Sequence, residues 1–88
     1  MKYKILLSDR FRKNYSRLNE NEKAQLQRKL SFLVQDPFHP SLRTKHIKGS
    51  DNLFEFSVNM DVRVIWCYQN GKLILLLDIG HHNILNRF

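Results

Sequence analysis

Three strand-like runs fill residues 53–79, which read LFEFSVNMDVRVIWCYQNGKLILLLDI. The runs lie at 53–58, 62–68 and 73–79, and each is rich in the β-branched and aromatic residues that are typical of strands. Asn70-Gly71, between the last two runs, is a strong signal for a two-residue type I′ hairpin turn. The segment therefore predicts three antiparallel strands joined by short turns.

The two turns also predict a register. With the hairpin loop at 70–71, Arg63 pairs with Asp78, and a three-residue turn at 59–61 pairs Ser57 with Arg63. One face of the sheet is then apolar and is predicted to pack on helices. It collects Phe54, Phe56, Val58, Val62, Val64, Trp66, Leu75, Leu77 and Ile79.

The opposite face of this predicted sheet has a polar end and an apolar end. The polar end collects Glu55, Ser57, Arg63 and Asp78, and continuing the alternation past Gly80 adds His82. The apolar end collects Ile65, Cys67, Ile74 and Leu76.

The first 35 residues predict one strand and two helices. Residues 3–7 alternate like a strand, and Ser8 is a suitable cap for a first helix. Asn19 and Glu22 have the spacing of a capping box, which predicts a second helix that ends before Asp36-Pro37. The order of elements predicts an α+β fold of two layers in one domain, residues 1–88: an N-terminal strand, a helical hairpin and a three- to four-stranded antiparallel sheet. Residues 36–52 read as a loop, with a possible short strand at 45–48.

Composition excludes several classes of protein. The longest aliphatic run, residues 73–77, has five residues, whereas a membrane-spanning helix needs about 20. The first residues contain no apolar stretch typical of a signal peptide, and the single cysteine, Cys67, excludes an internal disulfide and a multi-cysteine zinc site. We therefore expect a cytoplasmic protein.

The net charge of +7 predicts a polyanionic partner. Residues 1–50 carry 12 basic and 4 acidic side chains, whereas residues 51–88 carry 3 and 4. Much of the excess falls on the outward face of the predicted helical hairpin. A nucleic acid and an acidic protein both fit, and a merely solvated basic surface is the alternative.

The polar end of the open face carries groups suited to cleaving RNA without a metal. That reaction needs a base for the ribose 2′-hydroxyl, a cation for the charged phosphorane and an acid for the leaving 5′-oxygen. Arg63 and His82 supply a cation and an acid or base, and Glu55 adds a carboxylate. The alternatives are a structural Arg63–Asp78 ion pair and a surface histidine. The four histidines lack metal-ligand spacing, so we expect neither metal nor cofactor.

Four segments, in this order and spacing, resemble the RelE/ParE superfamily of bacterial type II toxins. They are residues 45–49 (KHIKG), 53–58 (LFEFSV), 61–66 (DVRVIW) and 79–83 (IGHHN). The likeness is to the branch of small mRNA interferases that includes RelE and YafQ. It covers nearly the whole chain in element order and roughly residues 36–83 in motifs.

The resemblance implies a toxin that cuts mRNA in the ribosomal A site and is neutralised by an antitoxin wrapped around it. Arg63 matches the strand arginine near the scissile phosphate, and His82 matches the catalytic C-terminal histidine. His46 matches a loop histidine, Asp61 a turn aspartate and Glu55 a strand glutamate. The basic loop beside them is expected to hold the RNA backbone through Arg43, Lys45 and Lys48.

Three positions depart from the YafQ-like pattern. Ser57 stands in place of a second histidine, Asn83 in place of an acidic residue and Asn86 in place of an aromatic one. Two alternatives therefore stay open. One is a ParE-like DNA gyrase inhibitor without nuclease activity, and the other is a degenerate toxin or regulatory DNA-binding partner that retains only antitoxin binding.

An antitoxin partner is also suggested by the surface that the sequence predicts. A basic helical hairpin, together with the apolar end of the open face, invites an acidic amphipathic segment that folds on binding. We expect a monomer or a heteromeric complex with that antitoxin. The alternative is that the C-terminal tail covers those apolar residues.

Overall fold

A computed structural model describes residues 2–81 and residue 84, and it confirms the predicted α+β architecture. The strands form one five-stranded sheet of order β1-β5-β4-β3-β2. β1 runs parallel to β5, and the other neighbours are antiparallel. In chain order the elements are β1 (Lys4–Leu7), α1 (Asp9–Tyr15), α2 (Glu20–Leu33), a 3₁₀ turn (Pro40–Leu42), β2 (Lys45–His46), β3 (Phe54–Ser57), β4 (Val62–Asn70) and β5 (Leu73–His81).

Both helices begin at the residues predicted to cap them. The Ser8 hydroxyl accepts a hydrogen bond from the Phe11 amide at 3.0 Å and donates one to the Leu77 carbonyl at 2.7 Å. At α2 the Asn19 side chain accepts from the Glu22 amide at 2.7 Å, while the Glu22 carboxylate accepts from the Asn19 amide at 3.0 Å. These bonds satisfy backbone donors that a helix leaves unpaired at its start.

The two helices cover one face of the sheet, and the main core lies between the layers. Its buried members come from both layers and from the 3₁₀ turn, so burial of apolar surface holds the elements together. They are Phe11, Leu18, Leu26, Leu33, Leu42, Phe56, Val58, Val62, Val64, Trp66, Ile74, Leu76 and Ile79.

The predicted register is confirmed for β3–β4 and wrong for β4–β5. Ser57 lies opposite Arg63 as expected. In the hairpin, however, Asn70 pairs with Leu73, which makes residues 71–72 the loop. The Asn70 side chain accepts from the amide of residue 72 at 3.1 Å and stabilises this shifted turn.

Two irregularities in the β4–β5 ladder also separate the observed register from the predicted one. Gln69 and Leu77 have no opposite residue, since Tyr68 pairs with Ile74 and Ile65 pairs with Asp78. Each is an extra residue of the kind found in β-bulges. Ile74 and Leu76 consequently face the helix-side core, whereas Leu75 and Leu77, predicted to be there, are only partly buried.

Asp78 is buried and does not lie opposite Arg63. It lies opposite Ile65, while Arg63 lies opposite Gly80, so the predicted pairing of Arg63 with Asp78 is wrong. The Asp78 carboxylate is fully buried, and it accepts a hydrogen bond from the Asn14 side chain of α1 at 2.6 Å. This hydrogen bond links β5 to α1.

The prediction of an exposed apolar surface that binds an antitoxin is also wrong for these four residues. Ile74 and Leu76 lie in the helix-side core, and Ile65 and Cys67 are buried within the chain itself. Ile65 and Cys67 lie outside the main core because they alternate with Val64 and Trp66 along β4.

Among the helices in the described part of the chain, none combines the length and apolar character needed to cross a membrane.

Replacing Asn14 with alanine removes a hydrogen bond to a buried carboxylate. We expect Asn14→Ala to lower the free energy of unfolding by about 2 kcal/mol, the usual scale for a bond to a charged group. Urea unfolding followed by circular dichroism measures it. Lys13→Ala, at the exposed neighbouring position, is the control and should change stability by less than about 0.5 kcal/mol. Equal effects would contradict the assignment of Asp78 to this contact.

Cys67 provides a test of the covered second face. Burial raises the pKa of its thiol, so the native chain keeps the thiol proton at pH values where the unfolded chain, with a pKa of about 8.5, has lost it. The protonated Cys67 thiol therefore contributes fully to the free energy of unfolding below the pKa of the unfolded chain, and this contribution falls as the pH rises above it. At pH 8.5 iodoacetamide should modify native Cys67 about tenfold or more slowly than the urea-unfolded chain. Equal rates would show an open face.

Candidate functional site

A cleft of about 290 Å³ lies where the β3–β4 turn approaches α2 and the 3₁₀ turn. Three cationic side chains contribute to its wall, Lys29, Arg43 and Arg63. No acidic side chain is among the described residues that line it. The cleft therefore attracts anions.

Arg63 is held in place on this wall by the turn that precedes it. Its Nη1 donates to the Asn59 carbonyl at 2.6 Å and to the Val62 carbonyl at 3.3 Å. Its Nε lies 3.9 Å from Oε1 of Glu55, and both side chains are largely buried. Within residues 2–81 and 84, Nη2 donates no hydrogen bond. That part of the guanidinium is available for an oxygen of a bound anion.

Asn59 organises the turn that holds Arg63. Its side-chain oxygen accepts from the amides of Asp61 and Val62, each at 2.8 Å. Its side-chain nitrogen donates to Gln25 of α2 at 2.7 Å. The turn is thus tied to the helix layer, and this fixes the carbonyl to which Arg63 binds.

The other two cations come from different segments. The Lys29 ammonium donates to the Ser41 carbonyl at 2.8 Å, which places it beside the 3₁₀ turn. Arg43 ends that turn in a left-handed conformation, with φ of 52° and ψ of 45°. A left-handed conformation disfavours residues with a Cβ, and strain of this kind often accompanies a functional site.

Glu55 and Lys45 lie on the same face of the sheet as Arg63. Glu55 is buried behind the guanidinium, and Lys45 is exposed directly opposite Glu55 in the β2–β3 ladder. Glu55 thus orients Arg63 and compensates part of its charge. The structure brings together Arg63 and Glu55 as the sequence suggested, with Arg43 across the cleft.

His46 lies on the other face of the sheet. It is paired with Phe54, and its ring contacts the Phe54 ring edge-on at 5.3 Å between centroids. Residues opposite each other share a face, so His46 and Lys45 point to opposite sides. The structure therefore does not bring His46 to Arg63.

The remaining predicted site residues are exposed or outside the described residues. Asp61 is exposed in the β3–β4 turn, two residues from Arg63, and Lys48 is exposed in the turn after β2. His82 lies outside the described residues, as do Asn83 and Asn86. Among residues 2–81 and 84, no group of three or more His, Cys, Asp or Glu side chains could hold a metal ion.

Sequence reasoning missed Lys29 and Asn59. Lys29 looks like one more charge on a solvated helix face, and only the fold places it next to Arg43 and Arg63. Asn59 carried a usable signal, because an asparagine two residues before an aspartate in a tight turn commonly accepts from the following amides.

No protein-family model and no curated protein matches this sequence. Solved structures do match it across nearly the full chain. The archaeal RelE of a RelE–RelB complex from Pyrococcus horikoshii superposes with a TM-score of 0.78 at 17% identity, covering 96% of this chain and 99% of that one. YafQ from E. coli superposes with a TM-score of 0.76 at 17% identity, covering 94% and 97%.

A third match is a toxin of a different name. A YoeB/ParE toxin from Agrobacterium tumefaciens superposes with a TM-score of 0.78 at 11% identity, covering 90% of this chain and 98% of that one. The chain thus has the fold of RelE/ParE-superfamily toxins, which confirms the fold that the sequence resemblance implied.

The left-handed conformation of Arg43 predicts that two variants differ in stability but not in anion binding. We expect the free energy of unfolding of Arg43→Gly to exceed that of Arg43→Ala by about 1 kcal/mol, because glycine adopts this conformation without the Cβ penalty. Both variants lose the same cation, so both should bind a short oligoribonucleotide several-fold more weakly than the parent chain. Urea unfolding and fluorescence anisotropy measure the two quantities. A glycine variant no more stable than the alanine variant would contradict the strain.

Proposed function

We propose that this protein is the toxin of a type II toxin–antitoxin module and that it cleaves mRNA on the ribosome, in the A site. The observation that carries the proposal is the cleft in which Lys29, Arg43 and Arg63 converge, with Arg63 fixed by the Asn59 carbonyl. This cleft suits a phosphodiester, and the fold is one that RNA-cleaving toxins use.

The proposed reaction is attack of the ribose 2′-hydroxyl, which loses its proton to a base, on the adjacent phosphodiester, without a metal. The bond from phosphorus to the 5′-oxygen of the next nucleotide breaks, this oxygen takes a proton from an acid, and a 2′,3′-cyclic phosphate remains. Arg63 stabilises the extra negative charge of the phosphorane, where a preorganised donor acts most strongly. Lys29 and Arg43 hold phosphate oxygens of the same strand, and Glu55 keeps the guanidinium oriented. His82 is the proposed general acid or base, and Asp61, exposed in the β3–β4 turn, is a candidate to assist it.

The proposed partner besides RNA is an acidic antitoxin. The RelE of Pyrococcus horikoshii is described in complex with RelB, and E. coli YafQ in complex with DinJ. A net charge of +7 on 88 residues makes an acidic binding partner electrostatically favourable for this chain. Such a partner would neutralise the cationic cleft as well as the basic helices.

A second candidate function is inhibition of DNA gyrase without nuclease activity. Two observations favour it. Ser57, and not a histidine, stands opposite Arg63, and the ring of His46 lies on the other side of the sheet. Within the described residues no histidine reaches Arg63, so acid–base catalysis rests on His82. A degenerate toxin that only binds its antitoxin has the same support.

Arg63→Ala should abolish growth arrest and lower the rate of mRNA cleavage about 10²- to 10³-fold, since it removes a donor to the transition state. Arg63→Lys should recover little, because an ammonium cannot replace the planar fork of donors. The measurement is primer extension on transcripts after brief induction, repeated with purified ribosomes. Arg10→Ala, an exposed arginine on α1, is the matched control and should stay toxic.

His82→Ala separates the two functions. An endonuclease should lose cleavage with this change, whereas a gyrase inhibitor should keep its toxicity and show inhibited supercoiling with intact transcripts. Thermal unfolding of each variant establishes that it is folded. Full toxicity of folded Arg63→Ala and His82→Ala would reject the proposed enzyme.

A further inference from the structure

A second cavity, of about 220 Å³, adjoins the cleft that contains Arg63. Lys29, Ser41 and Val58 line both cavities. The two therefore form one groove that runs from the β3–β4 turn along α2. The second cavity is lined by Gln25, Arg28, Lys29, Phe32, Ser41 and Val58.

The groove is cationic along its whole length. Arg28 is exposed in the second cavity, and Lys29 stands on the shared wall with its ammonium bound to the Ser41 carbonyl at 2.8 Å. Arg43 and Arg63 continue the series in the first cavity. No acidic residue is among the described residues that line either cavity. Such a series matches an anion with charges at regular intervals.

The second cavity also has an aromatic ring in its wall. Phe32 is half-buried, and its ring stacks on His39 with centroids 4.3 Å apart and planes 19° apart. Any of the four nucleobases gains binding free energy from contact with such a ring. A nucleic-acid strand carries a flat base beside each phosphate, which this combination of cations and an aromatic ring matches.

We propose that the second cavity is a subsite for the neighbouring nucleotide of the RNA strand whose phosphate binds at Arg63. Arg28 and Lys29 bind the backbone phosphate of that nucleotide, and its base lies against Phe32. The identity of the ligand as RNA rests on the proposed function. The subsite itself makes a separate claim, that binding strength depends on the length of the strand and on Arg28.

The test compares 2′-O-methyl oligoribonucleotides of two and six nucleotides, which cannot be cleaved by 2′-hydroxyl attack. Fluorescence anisotropy at low salt gives their affinities. Arg28→Ala should weaken the six-nucleotide strand about tenfold and the two-nucleotide strand less than twofold. It should also reduce the slope of log affinity against log salt by about 0.7, the value for one phosphate contact on a single strand.

Arg17→Ala is the matched control. It removes the same charge from an exposed position on the helical hairpin, outside the groove, and should weaken both strands less than twofold. Equal effects of the two variants on the longer strand would overturn the subsite. So would a hexaglutamate peptide that binds as tightly as the RNA and loses as much affinity in Arg28→Ala, because the groove would then be a protein-docking surface.

The outcomes keep the two proposals apart. A parent chain that binds the longer strand with the expected Arg28 dependence, yet leaves cleavable mRNA intact, supports the subsite and rejects the nuclease. A parent chain that cleaves mRNA while Arg28→Ala behaves like Arg17→Ala rejects only the subsite.

Discussion

The hydrogen bond from Arg63 to the carbonyl oxygen of Asn59, at 2.6 Å, is the contact on which the cationic cleft depends. A free arginine side chain samples many rotamers, and holding it costs conformational entropy at the moment of binding. Here that cost is met during folding, because Asn59 is itself fixed by two backbone amides and by Gln25. The guanidinium is therefore preorganised before any anion arrives.

The arrangement also explains how three like charges share a small cleft. Glu55, buried behind Arg63, lowers the repulsion that the guanidinium exerts on its neighbours. Lys29 is bound to a carbonyl oxygen, which stabilises its ammonium locally. Arg43 remains exposed and keeps most of its hydration. The three cations can lie in one cleft because a carboxylate, a carbonyl oxygen and water each offset the charge of one of them.

Much of the fold could be read from the sequence, and the parts that could not have clear causes. The capping residues Ser8 and Asn19 and the β3–β4 register follow local rules, and the structure agrees with them. The β4–β5 register did not follow, because residues 73–77 are uniformly aliphatic and give no alternation to align. The loop at 71–72, together with the unpaired residues Gln69 and Leu77, puts Gly80 opposite Arg63 instead of Asp78.

The candidate site could be predicted from the sequence only in part, for a similar reason. Arg63 and Glu55 lie on adjacent strands at a fixed offset, so alternation alone brings them to one face. Lys29 joins them from a helix, a convergence that no local pattern encodes. His46 was placed by motif, and the two-residue strand β2 turns it the other way, against Phe54.

Because β1 pairs with β5, the sheet can be completed only after the last strand has been synthesised. Residues Lys4–Leu7 have their strand partners about 70 positions later, at 73–76, and the Ser8 hydroxyl binds the Leu77 carbonyl. During synthesis the first strand has nothing to pair with until the last one has left the ribosomal exit tunnel. A prematurely terminated product that lacks β5 therefore leaves β1 without its strand partner and the sheet incomplete.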